Sequence, residues 1–381
     1  MMKYLKTGFI LSFLSIVYPM AGQLPGQLLE KPKEWYGSEE AIRIADKVLL
    51  FQRYDGGWPK EWPIKKDYLR EYSDSEIERL YDLKYKRDCT FDNGATWTEM
   101  RFLGKVANAT KNAEYLLAFN HGFDFLIESQ YENGGWPQYY PGLERYSPGF
   151  SKWSPDGIES FITFNDDAMI GVIWLLKDIS EGKSDFSFVG SDRRKRAAEA
   201  VRKGIDCILN SQFIYDGKRT AWPSQMDERT FEPRWGRDFE PLSLVSGESV
   251  KIVRFLMSLE KPDEAVISAI QGAVQWLVDV KIEGIRIEQT KEPVKIGGHT
   301  DRRERYVVED PNAPPIWARF YELNSFRPIF ASRGSEVKYN LSEISPERRT
   351  GYSWYRTSPA KLLHDDYPAW CDRYDVENVV E

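Results

Sequence analysis

The 381-residue sequence is poor in cysteine and histidine, with three of each: Cys89, Cys207 and Cys371, and His121, His299 and His364. An odd, widely spaced cysteine set without a CxxC pair allows one bridge at most and implies no disulfide framework. The histidines lack metal-ligand spacing, which disfavours structural zinc and histidine-based triad chemistry. Basic charge is also short. Lys and Arg number 52 against 59 Asp and Glu, a formal net charge of −7 with no long basic stripe, so nucleic acid is not an expected partner. The apolar run Gly8–Tyr18 falls short of the roughly 20 residues that span a bilayer, so no stable membrane span is expected.

That run carries a different signal. Lys3 and Lys6 precede it and the small pair Ala21-Gly22 follows, the pattern of a cleaved export signal. Residues 1–22 are therefore expected to be removed and the product to be secreted or periplasmic. Losing Lys3 and Lys6 takes the formal charge from −7 to −9, so an anionic partner would have to be attracted by local arginines rather than by the overall field. With 41% apolar and 14% aromatic residues, the remaining 23–381 can bury a sizeable core. The sequence leaves the oligomeric state open.

Internal repetition points to the fold. Leu49-Leu50-Phe51-Gln52-Arg53-Tyr54-Asp55-Gly56-Gly57-Trp58-Pro59 recurs as Leu126-Ile127-Glu128-Ser129-Gln130-Tyr131-Glu132-Asn133-Gly134-Gly135-Trp136-Pro137. A looser third copy runs from Ile208-Leu209-Asn210-Ser211-Gln212 to Ala221-Trp222-Pro223. Apolar residues between the copies keep helical spacing, as in Ala168, Ile170, Val172, Ile173, Leu175, Leu176 and Ile179. Helix pairs of this kind bury their apolar faces only against neighbours. The expected architecture is mostly α, an α/α toroid or incomplete α/α barrel of helix hairpins. One domain is expected over 23–381, ending in a smaller irregular or β-containing segment from about residue 317.

Two acidic motifs stand out: Thr90-Phe91-Asp92-Asn93-Gly94-Ala95-Thr96 and Ile162-Thr163-Phe164-Asn165-Asp166-Asp167. Each sets a carboxylate beside an Asn at the start of a helical stretch, suiting either a helix N-cap or a hard-cation site. Downstream lie Arg237, Arg319 and Arg333, cations of the type that clamps carboxylates. Together with Gly56-Gly57-Trp58-Pro59-Lys60, Asn133-Gly134-Gly135-Trp136-Pro137-Gln138, Arg237-Asp238-Phe239-Glu240-Pro241 and Trp317-Ala318-Arg319-Phe320-Tyr321-Glu322, these segments resemble the family 10 pectate lyases from about Trp58 to about Tyr355.

The resemblance implies a toroid and calcium-dependent β-elimination of (1→4)-α-D-galacturonan, giving 4,5-unsaturated oligogalacturonides. It implies Asp166 and Asp92 as Ca²⁺ ligands, Arg237 as the base, and Arg319 and Arg333 as substrate-binding residues. Asn93, Tyr321 and Lys60 are further substrate-contact candidates. For Arg237 a salt bridge to Asp238 or Glu240 is the competing expectation, and Arg234 is the rival in the same loop. Whether Asp167 also ligates metal is left open. An inverting hydrolase using Asp92 and Asp166, and a non-catalytic binding protein for acidic polysaccharide, are the alternative functions. The Gln-to-Trp repeats also resemble those of triterpene cyclases, but the chain has no Asp-x-Asp-Asp motif.

Overall fold

The computed structural model describes residues 24–60, 64–141, 157–296 and 298–380; the expected export signal lies outside them. Among the described residues no helix is long and apolar enough to cross a membrane. The three cysteines are buried, and none forms a disulfide.

Among the described residues eight helices build the body: α1 (Glu39–Phe51), α2 (Asp74–Asp82), α3 (Trp97–Thr110), α4 (Ala113–Glu128), α5 (Ala168–Ser180), α6 (Ser191–Ser211), α7 (Ser246–Met257) and α8 (Glu264–Asp279). Side-chain oxygens of Ser38, Asn112 and Asp263 start α1, α4 and α8 by accepting otherwise unpaired N–H groups of the first turn. Helices α3, α5 and α7 pack in succession as an inner layer, and α4, α6 and α8 do so outside them. The sequence patterns differ accordingly. Helix α5 is buried almost all round, whereas α6 buries Ala197, Ala200, Val201, Gly204, Cys207 and Ile208 on one stripe and turns its charges outward.

Each repeat is locked by the same bonds. The Gln52 side-chain amide donates to the carbonyls of Gly56 and Ala118, Gln130 to those of Gly134 and Ala200, and Gln212 to those of Thr220 and Ala269. One glutamine thus fastens its own turn to the next outer helix. The turn then returns a tryptophan into the core, where Trp58, Trp136 and Trp222 donate Nε1–H to the carbonyls of Val48, Leu126 and Ile208. The second copy needs glycine at 134, where φ is +90° and a Cβ would stand 1.9 Å from the Lys203 carbonyl oxygen.

A fourth lock is present that the repeat pattern does not reveal. Trp317 donates to the Leu277 carbonyl at 2.7 Å, but residues 282–316 separate it from α8. Within that insertion Ile285–Gln289 pairs with Arg305–Glu309. Strands therefore begin well before residue 317, and Trp317 itself belongs to the toroid. In this sector the place beside α7 is taken by the short C-terminal segments Ser358–Lys361 and Leu362–Asp366. A four-stranded antiparallel sheet, in the order Val337–Lys338, Pro328–Ala331, Phe320–Tyr321 and Leu244–Val245, ties the C-terminal part to the start of α7. It has its own small core around Phe320, Phe330 and Trp354.

Backbone bonds between successive repeats then fix the register at one end of the bundle. The N–H groups of Phe91, Phe164 and Ser246 donate to the carbonyls of Gln138, Ser224 and Arg319, at 3.1, 3.0 and 3.2 Å. Each acceptor lies two residues beyond a lock tryptophan, and each donor lies just before an acidic turn or helix start.

Candidate active site

That register aligns the two acidic motifs on the Thr-Phe they share, Thr90-Phe91 with Thr163-Phe164. The threonines Thr90 and Thr163 accept the N–H of Asp92 and Asn165 through Oγ1, at 3.0 and 3.1 Å. The next residues, Asn93 and Asp166, take nearly the same left-handed conformation, with φ/ψ of 50°/35° and 48°/34°. Asn and Asp are the non-glycine types that tolerate it best. Asp92 is thus the counterpart of Asn165, and Asn93 of Asp166. The third repeat puts Glu248, in the first turn of α7, at the same step.

The two turns pack against each other. Burial first, and then the neighbouring Asp92, raises the Asp166 carboxyl to about 6, with Arg319 opposing. Asp92 accepts Lys60 Nζ on Oδ2 at 2.7 Å; its Oδ1 is buried without a hydrogen-bond partner, as is Oδ1 of Asn93. Asp166 Oδ2 takes the Asn165 amide at 3.0 Å, and Oδ1 lies 4.0 Å from Arg319. Buried oxygens without donors suit a hard cation. Among the described residues no three or more His, Cys, Asp or Glu side chains gather into a metal group. A cation here would therefore take two carboxylates and fill its shell with amide, water or substrate oxygens. Asp167 is engaged elsewhere, with Lys251 Nζ 2.5 and 2.7 Å from its two oxygens.

The arginines fall into distinct environments. Arg319 is 5% exposed; its Nη2 donates to Asn165 Oδ1 at 2.7 Å and Glu248 Oε1 at 3.0 Å, and its guanidinium stacks on Tyr352 at 4.4 Å. It holds the second and third turns together rather than standing open. Arg237 pairs with the buried carboxylate of Glu240, which also accepts the Arg237 N–H and the Tyr352 hydroxyl, each at 2.9 Å. Of the two salt bridges open to Arg237 in the sequence, the one to Glu240 forms. Burial would lower the Arg237 pKa, but Glu240 outweighs it and holds the guanidinium above the usual arginine range. Burial likewise pushes Glu240 up, and Arg237 overrides this to hold it at about 2. Arg234 is apart, half-exposed and bonded to Asp227 at 2.7 Å.

Arg333 is the most open of the set, 48% exposed, with Asp238 and Glu347 at 3.6 and 3.7 Å, beyond hydrogen-bond reach. It shares the Phe239 ring with Arg237, at 5.1 and 4.8 Å from the centroid. Asp166 lies within electrostatic reach of Asp92, Arg319, Glu240 and Arg237, so one pocket gathers most of the expected residues. Tyr321 is not among them. Its ring is fully buried against Trp276, and its hydroxyl donates to the Val280 carbonyl while accepting the Ala318 N–H. That is a core position, so Tyr321 is corrected from a substrate contact to a packing residue.

The structure adds Glu240, Glu248 and Tyr352 to the pocket. Glu248 was reachable from the sequence by carrying the third repeat one step further. Tyr352 carried no such signal, because it arrives from beyond the last lock.

Comparisons with known proteins bear on the family and the fold. The pectic acid lyase family matches residues 52–363. A family 10 polysaccharide lyase from Cellvibrio cellulosa shares 27% identity at a TM-score of 0.68, covering 92% of this chain and 100% of its own. An aspartate-to-alanine mutant of that organism's family 10 lyase, solved in complex with trigalacturonic acid, gives 27% identity and a TM-score of 0.69 over 91% of this chain and 99% of its own. No curated protein matches.

Proposed function

The chain belongs to the pectic acid lyase family, and on that premise we propose a secreted, calcium-dependent enzyme that cleaves polygalacturonate by β-elimination to 4,5-unsaturated oligogalacturonides. Polysaccharide lyase activity on pectate follows from the family; the metal, the product, the export and the residue roles are the proposal's own. The observation that carries it is the pair of packed turns that bury partnerless oxygens of Asp92 and Asn93 beside Asp166, with Arg237 in electrostatic reach.

Elimination removes the proton at C5, α to the sugar carboxylate, and expels the glycosidic oxygen from C4. Asp166, Asp92 and the Asn93 amide oxygen would hold a calcium ion, whose charge neutralises the sugar carboxylate and so acidifies C5. Arg237 is assigned to take that proton. Lys60 fixes the orientation of Asp92 through its 2.7 Å bond and leaves the other carboxylate oxygen available. Arg319, whose Nη2 is committed to Asn165 and Glu248, positions the Asp166 turn. Arg333, loosely held and half-exposed, binds a sugar carboxylate.

One observation favours a second role for Arg237. Its bond to Glu240 stabilises the charged form, and a fixed guanidinium would stabilise the negative charge that develops on the sugar carboxylate, leaving the proton to solvent base. Either way the double bond conjugates with the carboxylate and absorbs in the ultraviolet. The test is that absorbance on polygalacturonate with and without chelator. Loss on chelation and recovery with calcium are expected; full activity in excess chelator would overturn the metal assignment. Reducing ends formed without absorbance would identify a hydrolase, and binding with neither would identify a binding protein.

A further inference from the structure

Away from the acidic turns, a cavity of about 550 Å³ opens between the hairpin Ile285–Gln289/Arg305–Glu309 and the strand Pro328–Ala331. Its volume falls in the range of about 300–1,000 Å³ common to small-ligand sites. Arg305 and Arg349 line this cavity and also an adjoining one of about 450 Å³. Their bonding differs. Arg349 gives two N–H groups to the Glu304 carboxylate at 2.9 and 3.0 Å, and a third nitrogen bonds the carbonyls of Ser342 and Ile344. It is saturated, and Glu304 is neutralised with it.

Arg305 is not. Its Nη1 donates to the Tyr352 carbonyl at 2.9 Å, and among the described residues no carboxylate lies within ion-pair distance of its guanidinium. Burial lowers its pKa below the usual arginine value, the mark of a partly desolvated cation without a counter-charge. The cavity therefore holds one unbalanced positive charge in a chain of net charge −7. Two tyrosines complete the lining, Tyr306 and Tyr339, 43% and 39% exposed. Their hydroxyls are tied to Glu288 and Glu322 at 3.1 and 2.9 Å, which fixes the rings in place.

We infer that this cavity is a second binding site for a carboxylated sugar, with the carboxylate on Arg305 and the C–H face of the ring on Tyr339. A guanidinium with free N–H groups selects a planar carboxylate, and a pre-oriented aromatic face selects a pyranose ring. The choice of galacturonate among carboxylated sugars rests on the lyase reading; the charge imbalance and the aromatic lining do not. A polymer held here is kept near the catalytic pocket, because Tyr352 links the two: its carbonyl accepts Arg305 while its hydroxyl bonds Glu240. Such anchoring raises the local concentration of polymer without any change in the chemical step.

Calorimetry of the full chain with trigalacturonate, in chelator to prevent turnover, tests this. Arg305→Gln should remove one bound trimer per chain, whatever the cation-free pocket still holds through Arg333, because loss of a charge-assisted contact weakens this site by about tenfold or more. Tyr339→Ala, at an exposed position, should weaken it several-fold with unchanged thermal stability. With calcium present, both variants should keep the wild-type kcat on the trimer but show a raised KM for the long polymer. Unchanged stoichiometry and affinity in both variants would overturn the inference, as would equal binding of neutral galactotriose. Absorbance measured with calcium reports the lyase reading separately: binding at Arg305 without elimination would refute that reading and leave this site standing.

Discussion

Replacing Arg237 with alanine would do two things that the geometry separates. It removes the group assigned to the C5 proton, and general-base catalysis typically contributes about 10²–10⁴-fold. It also strands Glu240, whose side chain is 4% exposed and whose pKa of about 2 is held down against burial mainly by Arg237. Breaking a buried pair by removing one partner costs about 3–5 kcal/mol. Arg237→Ala should therefore lose at least about a hundredfold in turnover and also unfold at lower denaturant. Adding Glu240→Gln removes the stranded charge, so the double variant should regain most of the stability and none of the turnover. Glu240→Gln alone decides between the two roles. If Arg237 acts as a base, losing the anion that favours its charged form raises the neutral fraction about tenfold per pKa unit, and the rate at fixed alkaline pH should rise. If it acts as a guanidinium, the rate should stay level or fall. Initial rates by ultraviolet absorbance, paired with urea melts, read both effects. A folded Arg237→Ala within about tenfold of wild type would refute both roles.

Arg319→Met should cost about 3–5 kcal/mol in urea melts by leaving Glu248 buried and unpaired, and Glu248→Leu in the same chain should recover much of it; an unchanged melt would return Arg319 to a substrate clamp. In chelated protein, Asp166 titrates near 6 when folded against 3.8 as the reference, so the native state binds more protons across that window and its stability should fall as pH rises through it. Asp166→Asn should remove that slope from melting curves taken between pH 4 and 7. Gly134→Ala should destabilise by about 3 kcal/mol or more, since both its φ and the Lys203 carbonyl oppose a side chain; calorimetric melting checks this. Low-ester pectate should outpace highly esterified pectin in the absorbance assay, because esterification removes the charge that Arg333 and the cation recognise.

The toroid was legible because its repeats are spelled out three times in Gln, Gly and Trp-Pro, the residues that make the locking bonds. The fourth lock was not, since the insertion over 282–316 breaks the spacing and alanine stands where the other copies have proline after tryptophan. The acidic turns were visible, and the Thr-Phe that opens each already sets Asp92 against Asn165 and Asn93 against Asp166, the register that the backbone bonds from Phe91 and Phe164 keep. Tyr321 misled because its hydroxyl and ring satisfy a core position as well as a sugar-facing one, and burial alone separates them. The partner of Arg237 was open between two neighbours three residues apart or fewer, a choice set by loop geometry.

The four lock tryptophans give the pocket a set of interchangeable sockets. Two residues beyond each lies Lys60, Gln138, Ser224 or Arg319, and at the last three of these the main chain is pinned by its carbonyl, whatever the side chain. Two sockets hold cations that grip the acidic turns, and two hold neutral groups. An engineer could thus exchange side chains at Gln138 and Ser224 while the backbone bonds that set the acidic turns keep their course.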